Sequence, residues 1–183
     1  RPTLLHKPLE RATEKIAKVI AAVSPQQKWE VNKRMADRAV KAWVSFQNSE
    51  IDTLPSAHRF SAMSDKAYAI LDGKEVALGQ KTGPFAQNIL GNTQAVTVDS
   101  LAISIPLGFF ECSGSYTFQE SVCAFVAELY RQAAAIVGIA PANLQAVTWE
   151  VCRRMKKRNG NDLLTAYANV GGNPIDLLAA MKA

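Results

Sequence analysis

Lys81 and Asp99 are the residues whose types and spacing best suit catalysis. Each stands where a helix is predicted to begin, and eighteen positions separate them. A lysine amine that is neutral near pH 7 can attack a carbon atom and form a Schiff base. A nearby carboxylate can stabilise the positive charge that develops on a sugar when a glycosidic bond breaks. The same residues are also interpretable as a solvated surface lysine and an ordinary helix N-cap.

The elements that would position these residues are predicted to be helical. Apolar residues recur at three- and four-residue spacing through most of the chain, and no alternating run is long enough to require a sheet. The predicted helices span residues 9–23, 24–46, 65–71, 82–90, 99–107, 117–137 and 141–159, with a last one after Asn173-Pro174. We therefore expect an all-α compact helical bundle that forms a single domain over residues 1–183.

Helix ends and buried stripes follow from individual residues. Ser24 is predicted to cap the second helix with Gln27 as its capping-box partner, and Thr117-Phe-Gln-Glu120 forms a second box. Gly91 and Gly138 are predicted to close the helices before them. The three tryptophans lie on helical stripes and are interpreted as core residues: Trp29, Trp43 and Trp149.

Charge is unevenly distributed along the chain. The sequence has 21 Lys and Arg against 16 Asp and Glu, a net charge of +5, and the excess lies at the two ends. One cluster near the end of the seventh predicted helix equals that excess by itself: Arg153, Arg154, Lys156, Lys157 and Arg158. Such a run is typical of a phosphate-binding surface. A solvated helix end, where cations favour the helix dipole, is the alternative.

Several classes of protein are excluded by composition. The 3 cysteines include no CxxC pair, so a disulfide scaffold, a zinc ribbon and a four-cysteine iron–sulfur cluster are not expected. His6 and His58 are isolated, and no metal or other cofactor is predicted. The same cysteine usage fits a reducing cytosol, so we expect a cytoplasmic location. No apolar run approaches the roughly 20 residues of a membrane span, so we expect no membrane partner.

The segment Gly79–Asp99 carries a resemblance to a known family. Gly79-Gln-Lys-Thr82, an apolar helix and Val96-Thr-Val-Asp99 resemble the helix-hairpin-helix and Gly/Pro/Asp motif of the base-excision DNA glycosylase superfamily, the endonuclease III and oxoguanine glycosylase group. The resemblance implies that Lys81 attacks the sugar C1′ and that Asp99 assists base loss. It also implies that Gly79, Gln80 and Thr82 contact DNA. Ala77 stands where the family's hairpin has its first glycine.

A second match lies between the first two predicted helices. Val23-Ser-Pro-Gln-Gln27 corresponds to a Ser- and Gln/Asn-rich loop that in these glycosylases fills the gap left by a flipped base. The resemblance implies that Ser24, Gln26 and Gln27 bind DNA, with Gln26 as the inserted side chain. The chain is also similar to a group of small phage-encoded proteins associated with the same superfamily. The glycosylase-like core would then cover about residues 9–160, followed by a C-terminal helical extension over 161–183.

These features lead to three functional hypotheses. The first is a DNA glycosylase, with AP-lyase activity, that acts on a flipped base in double-stranded DNA and holds phosphates with Arg153, Arg154, Lys156 and Lys157. Phe109, Phe110 and Tyr116 lie in a segment predicted to be irregular and would line the base pocket. The alternatives are an inactive DNA-binding or protein-interaction module on the same scaffold, and a phage enzyme that modifies a base. The host would be a bacterial or phage-infected cell.

Overall fold

A computed structural model describes the backbone of residues 6–107 and 119–159 and the side chains of residues 8–106 and 119–154. Within these residues the secondary structure is entirely helical. The seven helices are α1 (His6–Ala22), α2 (Trp29–Gln47), α3 (Ser61–Leu71), α4 (Thr82–Ile89), α5 (Ser100–Leu107), α6 (Glu120–Val137) and α7 (Pro141–Asn159). The predicted all-α class is therefore confirmed for the part of the chain described.

The helices group into two compact units, Arg1–Gly91 and Asn92–Ala183. In the first unit α1 packs against α2, α3 and α4, and α2 also packs against α3. In the second unit α5, α6 and α7 pack against one another. The prediction of a single domain over the whole chain stays a prediction.

Each unit has its own apolar core. In the first, small residues let the helices approach closely: Ala22, Ala36, Ala39 and Ala67 are buried beside Val19, Val23, Tyr68, Ile70 and Leu71. In the second, the core is formed by Val96, Val98, Ala102, Ile103, Cys123, Val126, Ala127 and Tyr130. Cys123 and Cys152 are buried, and neither belongs to a disulfide among the described residues.

The start of α2 differs from the prediction. The helix begins at Trp29 and not at Ser24, because the Ser24 hydroxyl donates to the Ala21 carbonyl at 2.8 Å and so belongs to the end of α1. Gln26 has a φ of 58°, a left-handed conformation that a helix cannot continue. Lys28 holds the N-cap position of α2 without a side-chain cap. The predicted Ser24–Gln27 capping box is therefore wrong.

The starts of α6 and α3 and the exposure of Trp29 also differ from the prediction. Helix α6 begins at Glu120 with Gln119 as its N-cap, so Glu120 is the first helical residue and not the third, as a capping box that begins at Thr117 requires. The third helix begins earlier than predicted, at Ser61. Trp29 is 49% exposed and not a core residue, because α2 buries its alanine stripe instead. The irregular segment 108–116, Thr117 and the helix after Asn173-Pro174 lie outside the described residues.

Two glycines end their helices as predicted. Gly91 and Gly138 have φ values of 90° and 72°, which glycine adopts without the steric cost that a Cβ brings. The N–H of Gly138 donates to the Ala134 carbonyl at the end of α6. The N–H of Gly91 donates to the Asn88 carbonyl at the end of α4, and these two bonds and conformations define where α4 and α6 stop.

The described helices are short or polar relative to a membrane span. No single one is long and apolar enough to cross a bilayer; α6 and the Pro141–Arg154 part of α7, bent by 100° at their junction, meet the criterion of length and composition only as a pair.

Gly138→Ala is expected to lower the free energy of unfolding by about 1 kcal/mol, because the left-handed conformation is strained for any residue with a Cβ. A Cβ there meets no atom within 4 Å, so strain is the only cost. The matched control is Gly83→Ala, whose Cβ would make an ordinary contact with Leu78 Cβ at 3.8 Å. Gly83→Ala should leave the free energy of unfolding equal to that of the parent or slightly higher. Urea denaturation measures both, and equal stability of Gly138→Ala and the parent would contradict the assignment.

Candidate functional site

The loop between α1 and α2 presents Gln26 to solvent. Its left-handed backbone turns the chain outward, and the side chain is exposed. The Gln26 Oε1 atom accepts a hydrogen bond from Nη2 of Arg59. A non-glycine residue in this conformation is held there by its surroundings. The loop therefore exposes a polar amide that is paired with a guanidinium.

The buried side chain of His58 supports this loop. The ring is 3% exposed, and its Nδ1 accepts the Phe60 backbone N–H at 3.0 Å. Since Nδ1 accepts, the ring proton is on Nε2, which donates to the Pro25 carbonyl at 3.3 Å. The Gln27 amide lies 3.3 Å from the same Nε2. His58 thus joins two chain segments, and Gln27 faces inward to it rather than toward a ligand.

The side chain of Ser64 completes this support. Its Oγ accepts the backbone N–H groups of Ala57 and His58 at 3.0 and 2.9 Å. Because Ser64 is buried in α3, it connects the loop support to the core of the first unit. Sequence reasoning missed both His58 and Arg59, since neither lies near the loop in sequence.

Lys81 lies where the sequence placed it, at the start of α4. It occupies the position before Thr82, the first helical residue, and its carbonyl accepts the Phe85 N–H at 3.2 Å. Its side chain is half-buried. Gly79 accepts the Gly83 N–H at 2.9 Å, and it lies outside the left-handed region. A Cβ at Gly79 would meet only Thr82 Oγ1, at 3.9 Å, so this turn does not require a glycine. Gln80 is exposed beside it.

Asp99 is fixed at the start of α5 by both of its carboxylate oxygens. Oδ1 accepts the Ala102 N–H at 2.9 Å, which confirms the predicted N-cap. Oδ2 accepts the indole N–H of Trp149 at 2.9 Å. Trp149 is half-buried in α7, and its bond to Asp99 is a contact that the interpretation as a core residue did not predict.

A buried tyrosine lies next to this carboxylate. The Tyr130 hydroxyl donates to the Ala102 carbonyl at 3.3 Å. Burial raises the pKa of Tyr130 strongly, and the negative charge of Asp99 raises it further. Tyr130 therefore remains a neutral hydrogen-bond donor, and the second unit has a polar cluster inside its helices.

Two arginines of the basic cluster on α7 form ion pairs with an acidic residue of the same helix. Arg153 and Arg154 both contact Glu150, with Nε–O distances of 2.9 and 2.8 Å. The two guanidinium groups lower the pKa of Glu150 from 4.5 to about 2. Because the folded pKa is depressed, this stabilisation is present above pH 4.5 and is lost as the pH falls through about 2. The Arg153 guanidinium also lies 5.7 Å from the Trp149 ring.

Several predicted site residues lie outside the part of the chain that the structure describes. The side chains of Lys156 and Lys157, and the whole of Phe109, Phe110 and Tyr116, lie outside the described residues. Lys81 belongs to the first unit and Asp99 to the second, and their implied action on one sugar stays a prediction. Among the described side chains, no group of three His, Cys, Asp or Glu could hold a metal ion.

Asp99→Ala is expected to cost about 1–3 kcal/mol of stability, because α5 loses its cap and the Trp149 indole N–H loses its partner. Trp149→Phe removes the indole N–H together with part of the ring, and because both changes break the same hydrogen bond their costs should be non-additive by about 1 kcal/mol. Urea denaturation of the parent, both single variants and the double variant measures this coupling. Additive costs would show that the hydrogen bond between the two side chains does not contribute.

Comparison with known proteins gives one match. Residues 5–157 match DUF7178, described as a family of unknown function. Neither a curated protein nor a solved structure is significantly similar to the chain. The matched range covers α1 to α7 almost completely, and the chain belongs to the DUF7178 family.

Proposed function

We propose that this protein binds double-stranded DNA and excises an extruded base, as a DNA glycosylase with AP-lyase activity. The observation that carries the proposal is the placement of Lys81 and Asp99, each directly before the first residue of a helix. Together with their eighteen-residue separation, this is the arrangement that the resemblance to the glycosylase superfamily implies. Membership of a family of unknown function neither supports nor opposes it.

The chemistry assigns one role to each residue. The amine of Lys81 forms a bond to C1′ of the deoxyribose while the bond from C1′ to the base breaks, and the base leaves with a proton. Opening of the sugar ring then produces a Schiff base between Lys81 and C1′. A base removes a proton from C2′, a double bond forms between C2′ and C3′, and the 3′ phosphate leaves, which cleaves the strand. Asp99 stabilises the positive charge on the sugar, and its two N–H partners hold the carboxylate in one orientation.

The exposed loop supports the binding step. An enzyme that acts on a base within a duplex must extrude it, and a side chain that fills the gap helps to keep it out. Gln26 is exposed at a left-handed turn and braced by Arg59, which suits insertion. Gly79, Gln80 and Thr82, at the start of α4, would contact a DNA phosphate, as the resemblance implies.

A second candidate is a DNA-binding or protein-interaction module without catalysis. One observation favours it: both oxygens of Asp99 already accept hydrogen bonds, so helix capping and the bond to Trp149 account for this residue structurally. On this hypothesis, DNA affinity is unchanged in Lys81→Ala and Asp99→Asn. If a base is altered rather than released, mass spectrometry of treated DNA would identify a base-modifying enzyme.

Lys81→Ala is expected to abolish a covalent adduct that the parent forms with an abasic-site duplex in the presence of borohydride, because reduction of the Schiff base at Lys81 gives a stable amine that links the protein to the DNA. Lys66→Ala is the matched control, since Lys66 is exposed on α3 outside the proposed site. The adduct is detected by gel electrophoresis. A folded parent protein that binds the duplex but gives no adduct would contradict the lyase activity and favour the module.

Arg153→Ala with Arg154→Ala is expected to weaken duplex binding and reduce the slope of log affinity against log salt concentration by about 2, one phosphate contact for each arginine. Glu150→Gln is the matched control, because it releases both guanidinium groups from the same helix. It should strengthen binding at low salt, as measured by fluorescence anisotropy. An unchanged slope in the double variant would show that these arginines do not contact phosphates.

A further inference from the structure

Trp29 is an exposed aromatic residue that the functional assignment does not use. It is the first residue of α2, and about half of its side chain is accessible to solvent. Its ring packs edge-to-face on Phe85, with centroids 6.2 Å apart and an interplanar angle of 81°. The indole is therefore held in one place while much of its surface stays open.

The packing partner connects Trp29 to the proposed nucleophile. Phe85 lies in the first turn of α4, and its backbone N–H donates to the Lys81 carbonyl. All three residues belong to the first unit. Trp29 thus lies against the helix turn that begins at Lys81, and two residues beyond the loop that carries Gln26 and Gln27.

The charge around Trp29 favours a polyanion as its partner. Residues 28–41 contain five cations, Lys28, Lys33, Arg34, Arg38 and Lys41, and two anions, Glu30 and Asp37, which leaves an excess of three positive charges. Lys33 and Lys41 pair with Glu30 and Asp37, both at 2.9 Å. Among the described residues, Lys28, Arg34 and Arg38 form no ion pair. An apolar protein segment would gain nothing from this excess, whereas a strand of phosphates would.

Lys33 adds a specific contact to the general charge. Its ammonium nitrogen lies 5.6 Å from the Trp29 ring centroid. An exposed indole with lysines beside it is the combination by which proteins bind single-stranded nucleic acid, where bases stack on aromatic rings and cations hold the backbone. Bases within a duplex expose only their edges, so an aromatic face of this kind can stack only on an unpaired base.

We propose that Trp29 stacks on an unpaired nucleobase of bound DNA, with Lys28 and Lys33 on the adjoining phosphates. The inference rests on the DNA-binding part of the proposed function and adds the position at which an unpaired base is held. It requires no covalent step, so it can be tested apart from the chemistry of Lys81.

The experiment is a titration of the full chain with an eight-residue thymidine oligonucleotide, followed by tryptophan fluorescence and anisotropy. Stacking quenches the Trp29 emission, and the quenching is absent in Trp29→Phe, which retains Trp43 and Trp149. Trp29→Ala should bind about 5- to 100-fold more weakly than the parent, and Trp29→Phe less weakly than that, since a phenyl ring also stacks. Phe46→Ala, an exposed aromatic change at the other end of α2, is the control and should bind as the parent does.

A second oligomer separates stacking from charge. An eight-residue strand of tetrahydrofuran abasic sites has the same phosphates but no bases, so it should cause no quenching and should bind the parent and Trp29→Ala equally. Equal quenching by both oligomers, or equal thymidine-oligonucleotide affinity of the parent and Trp29→Ala, would overturn the stacking proposal. Circular dichroism spectra confirm that the Trp29 variants are folded.

The two proposals fail in different ways. The titration is repeated in Lys81→Ala, where no Schiff base can form, and quenching should persist there. Quenching without borohydride trapping in the parent contradicts the lyase chemistry alone. Trapping in the parent without quenching contradicts the stacking position alone.

Discussion

The carboxylate of Asp99 is the interaction on which the second unit depends. It caps α5 through the Ala102 N–H and at the same time bonds the indole of Trp149 in α7. These two bonds orient a short helix of 8 residues whose low number of internal hydrogen bonds gives it little stability of its own. The buried Tyr130 hydroxyl, bonded to the Ala102 carbonyl, adds a third polar contact at the same turn.

The same two bonds bear on the proposed chemistry in opposite ways. N–H donors hold a carboxylate in place, which favours electrostatic stabilisation of a cationic sugar because no reorganisation is needed during the reaction. They also occupy lone pairs that a ligand would otherwise use. Structural and catalytic roles are compatible here, since each carboxylate oxygen has more than one lone pair and the side chain is only half-buried.

The first unit uses a histidine for a comparable purpose. His58 is buried without a charged partner among the described residues and joins the loop at Pro25 to the segment before α3. This contact supports an exposed loop that contains a left-handed residue, Gln26. Arg59 lies on the outside of the same segment, where it bonds Gln26 and stacks 4.6 Å from the Phe60 ring. The loop, the start of α2 and the start of α4 thus present amide, cationic and aromatic groups on one unit.

Helix positions were predictable where the signals are local. Asp99 as a cap, Lys81 before α4, and Gly91 and Gly138 as helix ends follow from interactions within about four residues of chain. The Ser24–Gln27 box was wrong because the Ser24 hydroxyl has two possible partners, the N–H groups ahead of it and the Ala21 carbonyl behind it. Local sequence does not decide between them.

The sequence by itself determined the helical class, most helix ends and the placement of Lys81 and Asp99 at helix starts, because periodicity and capping are short-range effects. Only the tertiary structure decided that Trp149 bonds a residue 50 positions away, that His58 supports a loop 33 positions away, and that Trp29 is exposed. The physical reason is the choice of buried face. A helix such as α2 has apolar residues on more than one side. Close packing against α1 and α3 selects the alanine stripe and leaves Trp29 exposed.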